Sequence, residues 1–261
     1  MSASGLARKV RIIGIGAGSP AFLTQQAIAS MNEVDVFLVA DKGDTTSELV
    51  ALRRAICEAH IAPGHEYRFV TVADPERGSD QGRTGGAYTA AVADWHRRRA
   101  DLYAQAMAAL PAGAVVGFLV WGDPAFYDST IRIVDDIGRR MAIDVRVVPG
   151  ISAFQALAAA HGVVLHAVGE PIHVTTGRRL IAEWAPGHGT FVVMLDGALA
   201  CRDLVERAPD LRIHWGAYLG LPQEALLSGR LGDVIDEIAA LRARLRAEHG
   251  WIMDVYALSE A

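Results

Sequence analysis

Five short apolar runs in the first 160 residues each stop at a turn and give way to residues spaced for a helix. That alternation leaves few folds open. Val10 to Ile15 runs into Gly14, Gly16 and Gly18, and Leu23, Ala27 and Met31 follow at helical spacing. Val36 to Val39 precedes a helix over Ser47 to Ala59, with Leu49, Leu52 and Ile56 on one face. Tyr67 to Val72 precedes a helix from Tyr88 to Leu110, Ala114 to Val120 one from Ser129 to Arg140, and Val145 to Val148 one from Ser152 to Ala160. Strands that alternate with helices in this way pair in parallel, because each helix carries the chain back across the sheet. After Gly162 the pattern changes. Ile172 to Thr175, Phe191 to Leu195, Ile213 to Leu219, Ala225 to Ser228 and Trp251 to Leu258 read as strands, and Leu231 to Ala247 as a helix. A hairpin at Gly220-Leu221-Pro222 predicts a mixed sheet. The expected fold is therefore two α/β domains, residues 1–166 around a parallel sheet and residues 167–261 around a mixed one.

The composition excludes several classes. With 51% hydrophobic and 21% charged residues the chain is globular in type, and no apolar run approaches the ~20 residues of a membrane span. Met1 to Arg8 does not lead into a secretory core, since glycines interrupt the apolar stretch that follows, so a soluble cytoplasmic protein is expected. A net charge of -5 argues against a general nucleic-acid binder. All but Lys9 and Lys42 of the 25 basic residues are arginine, whose planar fork suits carboxylates. Cys57 and Cys201 lie far apart without metal-ligand spacing, so neither a zinc site nor a disulfide framework is indicated.

Three short motifs end predicted strands. The glycine turn invites a dinucleotide reading, in which backbone N-H groups cradle a pyrophosphate and Asp35 or Asp41 binds the ribose, but the third fingerprint position is Ser19. A plain strand-to-helix turn is the competing reading. Gly122-Asp123-Pro124 combines close backbone approach with a hydrogen-bond acceptor, and Trp121, Phe126 and Tyr127 beside it suit a flat organic ligand. Pro149-Gly150-Ile151-Ser152 places Ser152 as a helix cap.

The run Ile13-Gly14-Ile15-Gly16-Ala17-Gly18-Ser19-Pro20-Ala21-Phe22-Leu23-Thr24 resembles the opening of the tetrapyrrole methylase family, usually VGxGPGxPxxLT. Trp121-Gly122-Asp123-Pro124, Val148-Pro149-Gly150-Ile151-Ser152, Thr176-Gly177-Arg178 and Val192-Val193-Met194 are similar to its later motifs in order and spacing, so the likeness runs nearly end to end. Asp41-Lys42-Gly43, Tyr88 with Trp95-His96, the stretch Val120 to Thr130, Trp215 to Gly220 and Trp251 to Asp254 are similar to the branch that methylates carbon 1 of the macrocycle precorrin-5 in cobalamin biosynthesis and releases its acetyl group as acetic acid.

The resemblance implies S-adenosylmethionine folded between two α/β domains, and a homodimer. Its contacts carry over to Trp121, Gly122, Asp123 and Phe126, to Ser152 and Ala153, and to Met194 and Leu219. Gly16, Ala17 and Gly18 would line the cleft for the anionic tetrapyrrole, with Lys42, Arg77 and Arg83 as cations and Arg97, Arg98 and Arg99 as further candidates. The segment Asp74 to Ala87, rich in breakers, would close over the macrocycle as a lid. The chain departs from the family at Ala17, where proline is usual, and at Trp121 before Gly-Asp-Pro.

Methyl transfer from a sulfonium needs positioning and a dry pocket more than acid-base help. Loss of the acetyl group does need a base to direct water and a donor for the oxyanion. Tyr127, Tyr88 and Asp123 are the candidates, with Asp128, His96 and Lys42 as further ones, and Tyr127 or Tyr88 is expected at the acetyl carbonyl. Three alternatives stay open at this stage: a nicotinamide-dependent oxidoreductase, a methylase of the same fold acting at another ring carbon or on the histidine-derived residue that diphthine synthase methylates, and a binding protein of this fold without transferase activity.

Overall fold

A computed structural model describes residues 7–41, 47–75 and 85–260, apart from the side chains of residues 41, 47, 48, 85 and 88. Lys42, Arg77, Arg83, the Tyr88 side chain and most of the expected lid lie outside the described residues. Contacts divide the chain into two compact units, Met1–Gly16 with Phe22–Ile151 and Ala17–Ala21 with Ser152–Ala261.

The first unit contains β1 (Arg8–Gly14), α1 (Gln25–Met31), β2 (Val36–Asp41), α2 (Ser47–His60), β3 (Arg68–Ala73), α3 (Gly85–Ala108), β4 (Val116–Val120), α4 (Thr130–Gly138) and β5 (Ile143–Val148). The five strands form one sheet in the order β3-β2-β4-β1-β5, every pairing parallel. Both faces of its central strands are covered, which explains the wholly buried, apolar β4, whereas the edge strand β5 leaves Val145 and Val147 exposed. Val10 and Ile12 pack with Ala100, Tyr103 and Met107 of α3 and Ile133, Val134 and Ile137 of α4. Ile13 lies on the other face, packed with Ala27 and Met31 of α1 and Ile56 and Cys57 of α2. Each fully buried aliphatic side chain of this kind contributes about 1.5–3 kcal/mol.

The second unit contains α5 (Ala153–His161), β6 (Ile172–Thr176), α6 (Gly177–Glu183), β7 (Thr190–Met194), β8 (Arg212–Ala217), β9 (Ala225–Arg230), α7 (Leu231–His249) and β10 (Asp254–Ser259). Its sheet runs β6-β7-β10-β8-β9, with β6 and β7 parallel and the other neighbours antiparallel. The expected mixed sheet and the β8-β9 hairpin are both present. By contacts the division falls at Ile151 rather than near residue 166, because α5 packs on β8 and β10. Three short elements were not expected, α6 and 3-10 turns over Pro20–Phe22 and Ala200–Leu204. No helix among the described residues is long and apolar enough to cross a membrane.

Candidate functional site

The three strand-end motifs meet within the first unit. β1 lies between β4 and β5, so the parallel order brings all three carboxyl ends side by side. The Gly122 N-H donates to the Gly16 carbonyl at 2.8 Å, and the Gly16 N-H to the Gly122 carbonyl at 3.3 Å. Asp123 then ties in the third motif. Its Oδ2 accepts from the Gly150 N-H at 2.9 Å and its Oδ1 from the Ala125 N-H at 2.8 Å. Gly14 is obligatory for packing reasons, since a Cβ there would lie 2.6 Å from the Gly150 nitrogen and 2.8 Å from the Gly122 oxygen. The connection from β1 leads to β2 on one side and that from β4 leads to β5 on the other, so the two adjacent strands form a switch point, where open α/β sheets bind ligands.

A dinucleotide cradle is not what this turn builds. Such a cradle needs the glycines to open directly into a helix whose N-terminus faces the phosphates. Here the turn passes through a 3-10 segment at Pro20–Phe22, and α1 begins only at Gln25, capped by Thr24, whose Oγ1 accepts from the Ala27 N-H at 3.0 Å. Asp35 lies at the opposite, amino end of β2, where its Oδ2 accepts from the Val115 N-H at 2.7 Å.

Trp121, Phe126 and Tyr127 follow β4. Phe126 and Tyr127 are 36% and 45% exposed, and Tyr127 holds a left-handed backbone with φ 52°. The Trp121 indole Nε1 is buried and has no acceptor among the described residues. The Arg53 guanidinium stacks on the Trp121 ring, 4.8 Å from its centroid, and donates to the Leu119 and Leu49 carbonyls at 3.2 Å each. Burial lowers Arg53 to about 10, with Asp128 opposing the shift, so it stays a cation at neutral pH. Asp128 Oδ1 accepts from the Thr130 N-H at 2.6 Å.

The second unit gathers another set of expected residues. Ser152 is buried at the start of α5, where Gln155 Oε1 accepts from both its backbone N-H, at 2.9 Å, and its hydroxyl, at 2.8 Å. The expected cap is present, and the serine hydroxyl, its proton committed, can only accept toward a ligand. Ala153 opens the helix behind it. Met194 ends β7 and is followed by Leu195 at φ 52°, 66% exposed. Leu219 follows Tyr218, also at φ 52°, just beyond β8. β7 and β8 point the same way, each antiparallel to the β10 between them, so both left-handed turns sit on one edge of the sheet. Non-glycine residues in this conformation are strained and concentrate at functional sites. Gly18 joins that edge: a Cβ there would lie 3.3 Å from the Leu219 oxygen.

The expected cofactor residues thus fall in two sets, Trp121, Gly122, Asp123 and Phe126 in the first unit and Ser152, Ala153, Met194 and Leu219 in the second. Of the expected substrate residues, Gly16 belongs to the first unit and Ala17 and Gly18 to the second. The arginine trio on α3 separates. Arg97 and Arg98 pair with Asp94 on the surface, whereas Arg99 turns inward, stacks on Trp95 at 4.5 Å and pairs with Asp74 at 2.7 Å. His96 packs obliquely on Trp95 with ring centroids 5.3 Å apart. Arg53 was not expected at all. Its signal was present in α2, where Leu49, Arg53 and Ile56 share the i, i+4, i+7 stripe of a buried face.

Comparison with known proteins agrees with this geometry. Residues 9–235 match the family described as Tetrapyrrole (Corrin/Porphyrin) Methylases. The chain is 43% identical to a precorrin-6A synthase [deacetylating] of Sinorhizobium sp., over 96% of this chain and 95% of that protein. Among solved structures, the cobalamin synthesis related protein CobF of Corynebacterium diphtheriae superposes with a TM-score of 0.79 at 39% identity, covering 97% of this chain and 99% of that one. A uroporphyrin-III C-methyltransferase of Thermus thermophilus complexed with S-adenosylhomocysteine shares the fold, with a TM-score of 0.56 at 21% identity over 97% of each chain. A family match across most of the chain, a full-length relative and a common fold leave one assignment: the chain belongs to the tetrapyrrole (corrin/porphyrin) methylases.

Proposed function

We propose that this protein is an S-adenosylmethionine-dependent C-methyltransferase of cobalamin biosynthesis that methylates precorrin-5 at carbon 1, with loss of the acetyl group as acetic acid, to give precorrin-6A. The likeness to the deacetylating precorrin-6A synthase, at 43% identity over 96% of the chain, carries this reading. Within each unit the expected cofactor residues lie at strand ends with bared backbone or left-handed turns, which suits a ligand held largely by main chain.

When bound, the cofactor supplies an activated methyl group on a sulfonium. The residues that would hold it are Trp121, Gly122, Asp123 and Phe126 from the first unit and Ser152, Ala153, Met194 and Leu219 from the second. Asp123 acts in this reading mainly by position, because its two oxygens already accept backbone N-H groups and fix the loop against Gly150. Ser152 offers a lone pair to an amino or hydroxyl group. Gly16, Ala17 and Gly18 line the substrate side, with Lys42, Arg77 and Arg83 facing the carboxylates of the macrocycle. Tyr127 or Tyr88 serves the acetyl carbonyl through its phenol O-H, a hydrogen-bond donor. That leaves the base for water unassigned among these residues. A homodimer and a cytoplasmic setting belong to the same reading, and light scattering measures the first.

The test is incubation of the purified protein with S-adenosylmethionine and precorrin-5, followed by mass spectrometry. A methylated product together with free acetate is expected. Methylation without acetate would point to another ring carbon. Calorimetry adds a second check, with S-adenosylhomocysteine expected to bind and NAD not.

A further inference from the structure

Where the carboxyl ends of β2 and β4 meet α2, α3 and α4, the first unit encloses a cavity of about 210 Å³. Leu38, Phe118 and Ile133 give it an apolar lining, and Arg53, Arg99, Trp121 and Asp128 bring its charged and hydrogen-bonding groups. The charges cancel. Arg99 is neutralised by Asp74 at 2.7 Å, and the remaining pair, Arg53 and Asp128, is of opposite sign. A ligand with a full charge would leave that charge uncompensated in a partly buried space, whereas a neutral polar group would not. The groups with capacity to spare are of two kinds. Arg53 has five N-H donors, of which the Leu119 and Leu49 carbonyls engage two, and the buried Trp121 Nε1 has no acceptor among the described residues. Opposite in character, the Asp128 carboxylate has Oδ1 held by the Thr130 N-H at 2.6 Å and a second oxygen able to take a proton.

Resting on the function proposed above, we propose that this cavity is the acyl site of the enzyme: it takes the acetyl group of the substrate, with Trp121 Nε1 and Arg53, in place of Tyr127 or Tyr88, on the carbonyl oxygen and Asp128 as the base for water. The volume holds a three-heavy-atom acyl group and a water, whose share of the liquid is about 30 Å³. Water's oxygen bonds to the acetyl carbon while one of its protons passes to Asp128, and the carbonyl electrons move onto the oxygen held by Arg53 and Trp121. When the carbonyl reforms, the bond from the acetyl carbon to ring carbon 1 breaks and acetic acid leaves. The electron pair stays on carbon 1, available to the methyl group that the cofactor would supply when bound. Asp128 later gives its proton to solvent. Asp123, by contrast, is tied to the Ala125 and Gly150 N-H groups through both oxygens and holds the loop.

Two measurements test this. The first follows acetate release and methyl incorporation from precorrin-5 in Asp128→Asn and Trp121→Phe, across pH. Asp128→Asn keeps the bond to Thr130 and removes only the base, so acetate release is expected to fall by roughly 10²–10⁴-fold. Trp121→Phe is expected to lower release by about 10²–10³-fold. Wild-type release rates in both variants, from a wild-type enzyme that is active, would overturn the acyl site alone; an inactive wild type would overturn the proposed function. The second measurement does not depend on turnover or on the variants' activity. In protein with ¹⁵N-labelled tryptophan, the indole signal lost in Trp121→Phe should move on adding acetamide, a neutral acyl probe, and not on adding acetate. Movement with neither probe, or with acetate in place of acetamide, would refute the proposal.

Discussion

Replacing Gly14 by alanine tests how tightly the three motifs are joined. Gly14 lies in β1, so the substitution meets no backbone strain of its own, and its whole effect is steric. The added Cβ would stand 2.6 Å from the Gly150 nitrogen, 2.7 Å from the Gly150 Cα and 2.8 Å from the Gly122 oxygen, all main-chain atoms. Against an ordinary contact of 3.4 Å these are short by about 0.6–0.8 Å, and no side chain can rotate away. Moving Gly150 by that distance would stretch its 2.9 Å hydrogen bond to Asp123 past the 3.5 Å limit. Overpacking costs about 1–3 kcal/mol and a lost bond to a charged acceptor about 1.5–3 kcal/mol, so a loss of roughly 3–5 kcal/mol is expected. Out of a typical 5–15 kcal/mol that is a large share. Urea unfolding followed by tryptophan fluorescence measures it, with the transitions of the two units fitted separately. Gly86→Ala serves as the control, since its Cβ meets nothing within 4 Å and it is the second residue of α3, where alanine should be neutral or slightly stabilising. A Gly14→Ala midpoint as high as that of Gly86→Ala, at unchanged slope, would refute the steric argument.

Three other outcomes are expected. Asp254 accepts from Trp215 Nε1 at 3.0 Å and pairs with the largely buried Arg242 at 2.8 Å, so Asp254→Ala should destabilise by about 3–5 kcal/mol in urea, and the double variant with Arg242→Met should regain much of it. His214 is held below the ordinary histidine value by burial, then by His161 and Arg212. The folded state therefore binds fewer protons than the unfolded one between that lowered value and about 6.5. Stability is fully present above 6.5 and lost as pH falls through the window. Melting temperatures between pH 7.5 and 5 should show this slope, and His214→Gln should flatten it. Burial raises both Cys57 and Cys201 to about 12, so a thiol reagent should find no reactive thiolate in the native protein and two after denaturation.

The parts of the fold that were legible in the sequence are those where burial imposes a period. β4 is apolar throughout because both sheet faces are covered there, and β1 carries only Arg11 as a charge among its buried residues, so the alternation with helices could be read. The helix α6 was not legible because, of its seven residues, only Gly177 and Leu180 are buried, too few to write a helical stripe. Arg53 was missed for the opposite reason. An arginine in a helix reads as solvated, and the Trp121 ring and the Leu119 carbonyl, both far away in sequence, give its charge a place inside. The α3 arginines show the same limit, since Arg99 differs from Arg97 and Arg98 only in having Asp74 and Trp95 within reach.

The candidate site was legible in outline because its constraints are topological. A glycine turn, a Gly-Asp-Pro and a Pro-Gly are each common, and none says what it faces. In a parallel sheet, however, every strand ends at the same edge, and β4, β1 and β5 are adjacent there. Motifs that end those three strands must therefore meet, whatever the separation between them in the chain. Once they meet, each limits the others: Gly14 has no room for a side chain because Gly150 and the Gly122 carbonyl pass beside it, and Asp123 holds Gly150 in place. The order of the motifs along the sequence is thus one structural requirement written in three places.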